Sequence, residues 1–281
     1  MQTFINFAAS NGVLIDSIIH GKIVRCPTTD HPAKRNGAFL FNHDYGWCQN
    51  WATHAEPIFW KDESKRTEEQ QAALERKIAK SREEYARNRD KNAQEAASKA
   101  RWILGQCELA EHKYIQRKGF KEHPVNVWQK DDQQLLIVPM YHKNTICGCQ
   151  IINEDGEKKF LTGQRTSLAY FKIGDGKNIF LVEGFSKGLA AKDILASIGC
   201  QSTIYVTFSV GNATKMAKYL PTAYWLGDND ENCVGQNAAE ASGLRWWIPN
   251  TVGFGIDDAY FAQGKLKTGM QIKKFLMQTT R

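Results

Sequence analysis

Apolar and polar residues follow three different rhythms along this chain. Over residues 1–60 the apolar runs are short, as in GKIVRC and GAFLF, and Pro27, Pro32 and Gly37 break them up. That texture predicts a small β-rich module with tight turns. Over residues 61–107 apolar positions become sparse. The stretch from Lys61 to Leu104 has no Gly or Pro and is dominated by Glu, Lys, Arg, Gln and Ala, all strong helix formers apart from the absent breakers. Glu68, Glu69 and Glu75 precede basic residues at helical spacing, which adds side-chain support. The prediction is one long exposed helix, or two, serving as a connector with a solvated face.

The third rhythm begins near residue 108. LLIVPM, ICGCQII and KKFLTG read as strands, with turns at Asn144, Asp155-Gly156 and Gly163. NIFLVEG, STIYVTF and TAYWLGDND follow, separated by helical stretches over 186–198, 213–219 and 236–243, and RWWIP closes the series. Apolar strands alternating with helices imply βαβ crossovers and a mostly parallel sheet flanked by helices. The chain therefore divides into a module at 1–60, a helical connector at 61–107, a mixed α+β part at 108–175, an α/β domain at 176–260 and a C-terminal tail at 261–281.

Composition narrows the class. With 281 residues, 42% hydrophobic and 24% charged, the chain is globular and long enough for about two domains. No apolar run approaches the roughly 20 residues of a membrane span. No basic region precedes the first apolar residues, so no secretory signal is expected. Seven Cys without dense spacing argue against a disulfide scaffold. The expectation is a cytoplasmic protein with reduced thiols and no membrane partner.

Charge adds a hint. The net charge is +7, yet residues 1–60 are neutral. Residues 262–281 carry Lys265, Lys267, Lys273, Lys274 and Arg281 and no acid. Such a tail reads either as a solvated terminal helix or as a phosphate contact. All seven His lie before residue 143, so chemistry in the C-terminal half must come from carboxylates, Lys or Ser.

Three acidic positions stand where open α/β sheets place ligands, at the carboxyl ends of strands. Glu183 follows NIFLV and precedes Gly184; Asp228 and Asp230 follow TAYWLG; Asp257 and Asp258 follow RWWIP and a Gly-rich turn. Alternate residues of an extended segment point the same way, so both carboxylates of Asp228-Asn229-Asp230 can face one cation. Clustered carboxylates without His or Cys favour Mg²⁺ or Mn²⁺ over zinc. Asp-x-Asp alone is also ordinary turn chemistry; the ordered set is more specific.

Cys26, His31, His43 and Cys48 form a C-x4-H-x11-H-x4-C array with residue types suited to tetrahedral zinc. The spacing matches no familiar site, and zinc is not favoured there. Trp47, Trp51 and Trp60 could stack exposed bases, although core or inter-domain packing is the more ordinary use of such residues.

The ordered acidic set resembles the TOPRIM domain shared by topoisomerases and bacterial-type primases. Similarity to primases of phages and mobile plasmids extends over residues 112–264. It includes His112-Lys113-Tyr114 with Lys118-Gly119, LLIVPM, Gln150-Ile151-Ile152, the block from Asp155 to Gly163, LVEGFSKGLAA, FSVGNATKMAKYLP, GDNDENCVGQNAAEAS and IDDAYFAQG. GKIVRCPTTDHPAKRNGAFLFNHDYGW is similar to the segment preceding the core in some of those primases.

The resemblance implies a TOPRIM-type sheet and Mg-dependent synthesis of short RNA primers on single-stranded DNA from ribonucleoside triphosphates. It implies Glu183, Asp228 and Asp230 as catalytic and metal-binding residues, with Asp257 or Asp258 as a further acidic position. One carboxylate of the family's usual pattern is missing there. Lys118, Lys158, Lys159, Arg165, Lys187 and Asn212 are implied as nucleotide or template contacts. Lys187 replaces a small hydroxyl residue of the family. No Walker loop and no CxxC ribbon occur, so a helicase would be a separate partner. A TOPRIM nuclease and a non-catalytic replication or defence-related DNA-binding protein stay open as alternatives.

Overall fold

The computed structural model describes residues 1–54, 56–64, 66–120 and 123–278. Its contacts divide the chain into two units, Met1–Asn88 and Arg89–Arg281. The division falls within the helix that the sequence assigns to the connector.

In the first unit, a short helix α1 (Gln2–Ser10) precedes strands β1 (Ile23–Cys26), β2 (Gly37–Asn42), β3 (Tyr45–Asn50) and β4 (Ile58–Lys61). The strands form an antiparallel meander in chain order. Phe4 and Ala8 of α1 are buried against Val13, Cys26, Phe39, Phe41 and Cys48. The Phe4 and Phe41 rings lie 4.9 Å apart between centroids. A Cβ on Gly46 would sit 2.6 Å from the Leu40 carbonyl and 2.8 Å from the Phe4 ring, so only glycine lets α1 approach β3 this closely. The β-rich texture gave no warning of α1, although Phe4, Phe7 and Ala8 carry helical spacing.

Helix α2 (Glu68–Leu104) runs unbroken for 37 residues. Within the first unit its Tyr85 packs edge-on against buried Trp47, 5.1 Å between centroids, and donates a hydrogen bond to Gln49.

The second unit has two sheets. Strands β5 (Cys107–Ala110), β6 (Val125–Lys130), β7 (Gln133–His142), β8 (Thr145–Ile152) and β9 (Lys158–Phe160) form an antiparallel sheet in chain order, with helix α3 (Lys113–Arg117) between β5 and β6. Strands β10 (Phe171–Ile173), β11 (Asn178–Val182), β12 (Ser202–Val206), β13 (Tyr224–Leu226) and β14 (Arg245–Trp247) form the other, in the order β10-β12-β11-β13-β14. Four of these strands are mutually parallel and β10 is antiparallel. Helices α4 (Phe185–Ser197), α5 (Val210–Ala217) and α6 (Val234–Ala241) make the crossovers, close to where the strand–helix rhythm places them. Strand order reverses between β11 and β13, which makes their carboxyl ends a topological switch point.

Two further helices, α7 (Ile256–Gln263) and α8 (Lys265–Met277), close the chain. Up to Met277 the basic segment is thus a docked helix. Ile272 and Thr268 are fully buried, and Arg245 donates to the carbonyls of Phe275 and Gln278. Arg281 lies outside the described residues. Among the described residues no helix is long and apolar enough to cross a membrane.

Candidate active site at the carboxyl ends of the parallel strands

Strand β11 is buried along Phe180–Val182 and delivers Glu183 to the switch point. The backbone there is held from β12: Thr207 N–H donates to the Val182 carbonyl and Phe208 N–H to the Glu183 carbonyl, both at 2.8 Å. Phe208 adopts a left-handed φ of 66° to do so, a strained state for a bulky residue. Strand β13 delivers Asp228 two residues beyond Leu226. Asn229 locks the following loop, donating to the Pro249 carbonyl and accepting from Gln236.

The two acids at the start of α7 separate by role. Asp258 turns back and accepts from Gly255 N–H at 2.9 Å, capping α7. Asp257 turns inward and is 1% exposed. Its Oδ2 accepts from Ser186 Oγ at 2.9 Å and lies 3.0 Å from Lys118 Nζ. Its Oδ1 is buried with no hydrogen-bond partner. Ser186 joins the site without having been among the sequence candidates; its signal is a hydroxyl three residues after Glu183, on the first turn of α4.

These groups line a polar cavity of ≈ 230 Å³ that includes Asp228, Asp230, Asp257, Lys118, Lys158 and Lys187. Lys187 stands one turn after Glu183 on α4. Its ammonium group bonds Asp228 and lies 3.9 Å from Glu183. Burial would lower the pKa of this lysine, but Asp228, Glu183 and Asp257 outweigh it and hold it above its ordinary value. One cation is shared among several acids, so the acids remain under-compensated. Burial raises Asp228 chiefly, with Lys187 opposing and Asp230 and Asp257 adding to the rise. Burial likewise raises Glu183, with Lys187 opposing and Asp228 adding. Asp257 behaves differently. Burial pushes it up, but Lys118, Ser186 and Lys187 together hold it below the usual carboxylate range.

The donor set suits a hard cation in kind. A Cβ on Gly255 would meet Asp228 Oδ1 at 2.8 Å and Asp257 Oδ1 at 3.0 Å, so both oxygens face one small space, and one of them is the unpartnered atom. Among the described residues, however, no three His, Cys, Asp or Glu side chains are gathered closely enough to hold a metal as they stand. Lys187 lies among them instead.

The remaining candidates scatter. Lys158 Nζ is 6.0 Å from the Tyr114 ring beside the cavity, whereas Lys159 is exposed and lies 4.0 Å from Glu157. Arg165 is exposed and lines a separate groove. Asn212 is buried, and its amide is consumed by backbone: it donates to Ala169 and Thr207 carbonyls and accepts from Leu168 N–H. His112 is buried as well, capping α3 by accepting from Tyr114 N–H.

In the first unit the Cys/His array does not converge. Cys26 and Cys48 are buried neighbours in the apolar core, where burial pushes their thiols up to about 11 and about 12. His43 stacks on His20 at 4.3 Å, and His31 lies beside Asp30. Trp47 is buried and Trp60 packs on the core, while Trp51 carries Arg25 over its ring at 4.0 Å.

No family model matches the chain, and no curated protein matches it. Among solved structures, one match is to a chain of a bacteriophage T7 complex, lagging-strand DNA polymerase interacting with primase domains of two gp4 subunits bound to an RNA/DNA hybrid and dTTP. It has a TM-score of 0.42 and 13% identity over 61% of this chain and 88% of that one. A DNA primase domain from Pseudomonas aeruginosa matches with a TM-score of 0.35 and 11% identity, over 63% of this chain and 57% of that one. Neither overlap is close enough to carry chemistry across.

Proposed function

We propose that this chain is a primase-like nucleotidyltransferase that makes short RNA primers on single-stranded DNA. Its partners in this reading are the template, ribonucleoside triphosphates and a separate replicative helicase. The observation that supports it is the meeting of Glu183, Asp228 and Asp257 with Lys118 and Lys187 at a switch point of a mostly parallel sheet.

Glu183, Asp228 and Asp230 would hold Mg²⁺. When bound, that ion supplies Lewis-acid stabilisation of charge on the phosphoryl oxygens. The chain's own groups do the rest. Glu183 would serve either as a ligand of that ion or, left free of it, as the base that accepts the proton of the attacking 3′-hydroxyl. Lys118 and Lys158 present positive charge to the triphosphate as pyrophosphate leaves. Asp257, itself held by the Ser186 hydroxyl, keeps Lys118 in place.

The test is synthesis of labelled oligoribonucleotides on single-stranded DNA with Mg²⁺. Glu183→Gln and Asp228→Asn are each expected to abolish synthesis with folding intact. Normal primers from both variants would remove these residues from the chemistry, and shortening of the template would point to a nuclease instead.

The position of Lys187 favours a second reading, DNA binding without polymerisation, because its ammonium group stands between Glu183 and Asp228, where a metal would need to sit. If Lys187 must leave before a cation enters, Lys187→Gln binds Mg²⁺ more tightly than the parent in calorimetry. Equal affinities would show that Lys187 and the metal do not compete.

A further inference from the structure

Away from the acidic cavity, the second unit has a groove of ≈ 540 Å³ whose lining includes His142, Lys143, Arg165, Tyr170, Tyr205 and Tyr219. That size falls within the roughly 300–1,000 Å³ range of ligand sites. Its lining holds no acid. Three aromatic rings with Lys and Arg and no carboxylate is the composition of a surface that stacks bases and meets phosphates.

The wall is built rather than incidental. Tyr170 and Tyr141 exchange backbone hydrogen bonds at 2.8 and 2.9 Å, and the Tyr170 hydroxyl donates to Asn144 at 2.8 Å. Its ring meets that of Tyr205 edge-on at 5.1 Å. Leu168, at the groove, adopts a left-handed φ of 56°. That conformation is fixed by the buried Asn212 amide, which accepts from Leu168 N–H and donates to the Ala169 carbonyl. Burial, then the neighbouring Tyr170, raises the Tyr205 phenol, so it stays neutral towards an anion. Tyr219, also in the lining, is 71% exposed, a ring presented largely to solvent.

We propose that this groove binds single-stranded DNA, with bases stacked on Tyr219 and Tyr170 and phosphates met by Lys143 and Arg165. A duplex hides its base faces, so rings in a groove favour unpaired bases. The choice of DNA over RNA rests on the function proposed above; the choice of a single-stranded polynucleotide rests on the groove.

The test is fluorescence anisotropy of full-length protein with a labelled oligothymidylate of about 12 nucleotides. Tyr219→Ala should weaken binding about tenfold. Arg165→Glu should weaken it and lower the slope of log affinity against log salt by about one or more. Lys177→Glu, at an exposed residue just before β11 and outside the groove, changes charge equally and should leave affinity as in the parent. All three residues changed are exposed or half-buried, and circular dichroism checks their folding.

Parent-like binding by both Tyr219→Ala and Arg165→Glu would overturn the groove. Equal loss in Lys177→Glu would reduce it to general charge attraction and also overturn it. Tighter binding of oligouridylate or of duplex, or displacement of the oligonucleotide by poly-glutamate at equal charge, would overturn the ligand assignment. Primer synthesis measured in parallel separates the two proposals. Groove-dependent binding without synthesis sinks only the enzyme, and synthesis with groove-independent binding sinks only the groove.

Discussion

Asp228 and Asp257 face the same small cavity, and their surroundings push them in opposite directions. Asp228 is raised chiefly by burial, with Asp230 and Asp257 adding to the rise and Lys187 only partly opposing it. A carboxyl whose folded value is raised contributes stability that is full in acid and is lost as pH climbs from the ordinary value near 3.9 through the raised one. At neutral pH its charge is therefore a liability. Asp228→Asn is expected to raise the melting temperature at pH 7, since Lys187 keeps Glu183 as a partner. Asp257 is depressed by Lys118, Ser186 and Lys187 acting against burial. Its contribution is present above the ordinary value and is lost as pH falls through the depressed one. Asp257→Asn should cost about 2 kcal/mol at neutral pH, and the charge-dependent part of that cost should shrink below the ordinary aspartate value and vanish only once the pH has fallen through the depressed one. Thermal melts across the acid range check both. Two substitutions with the same sign at pH 7 would refute the assignment of opposite environments. At this scale the sequence could offer Asp257 and Asp258 only as alternatives, because adjacent residues at a helix start look equivalent until one of them caps.

Among the elements, α3 and α7 show how a short segment positions the site. Gly119 follows α3 with a φ of 74°, and a Cβ there would overlap the Phe261 ring of α7. Gly119→Ala therefore combines two costs. The left-handed backbone alone is worth about 1–3 kcal/mol, and displacement of Phe261 shifts the helix that carries Asp257. Destabilisation in denaturant titrations is expected. Gly119→Ala combined with Phe261→Ala should then lose less than the two separate losses would predict, because the overlap is removed. Strict additivity would show that the ring contact carries no energy. The Lys118-Gly119 pair was visible in the sequence, but its partners are about 140 residues away and nothing local names them.

For the molecule as a whole, the division between units falls at Asn88 and Arg89, inside α2. The side chains from Ala86 to Asn92 are exposed, so little apolar burial holds that stretch if it opens locally. Limited trypsin digestion under native conditions should cut first at Arg87, Arg89 or Lys91, leaving two resistant fragments. First cuts within either sheet would contradict a weakly held mid-helix segment. The sequence marked this helix correctly by composition and by the absence of Gly and Pro, yet it drew no boundary inside it. Helix propensity is a local property, whereas a unit boundary is set by which distant residues the two ends of the helix touch.

What the sequence determined by itself is therefore the local part. Propensity and spacing placed the long helix, the alternation of strands with α4, α5 and α6, and the acids Glu183, Asp228 and Asp230 just past apolar strands. Those signals lie in consecutive residues, so they can be read without knowing the fold. Tertiary structure alone decided the rest. It set the strand order that makes β11 and β13 a switch point, turned Asp257 inward, placed Lys187 among the acids and Ser186 against Asp257, and buried Asn212 behind the tyrosine groove. Each of these depends on pairing between residues far apart in the chain. Such pairing is selected by the packing of whole sheets and helices and not by the residues on either side.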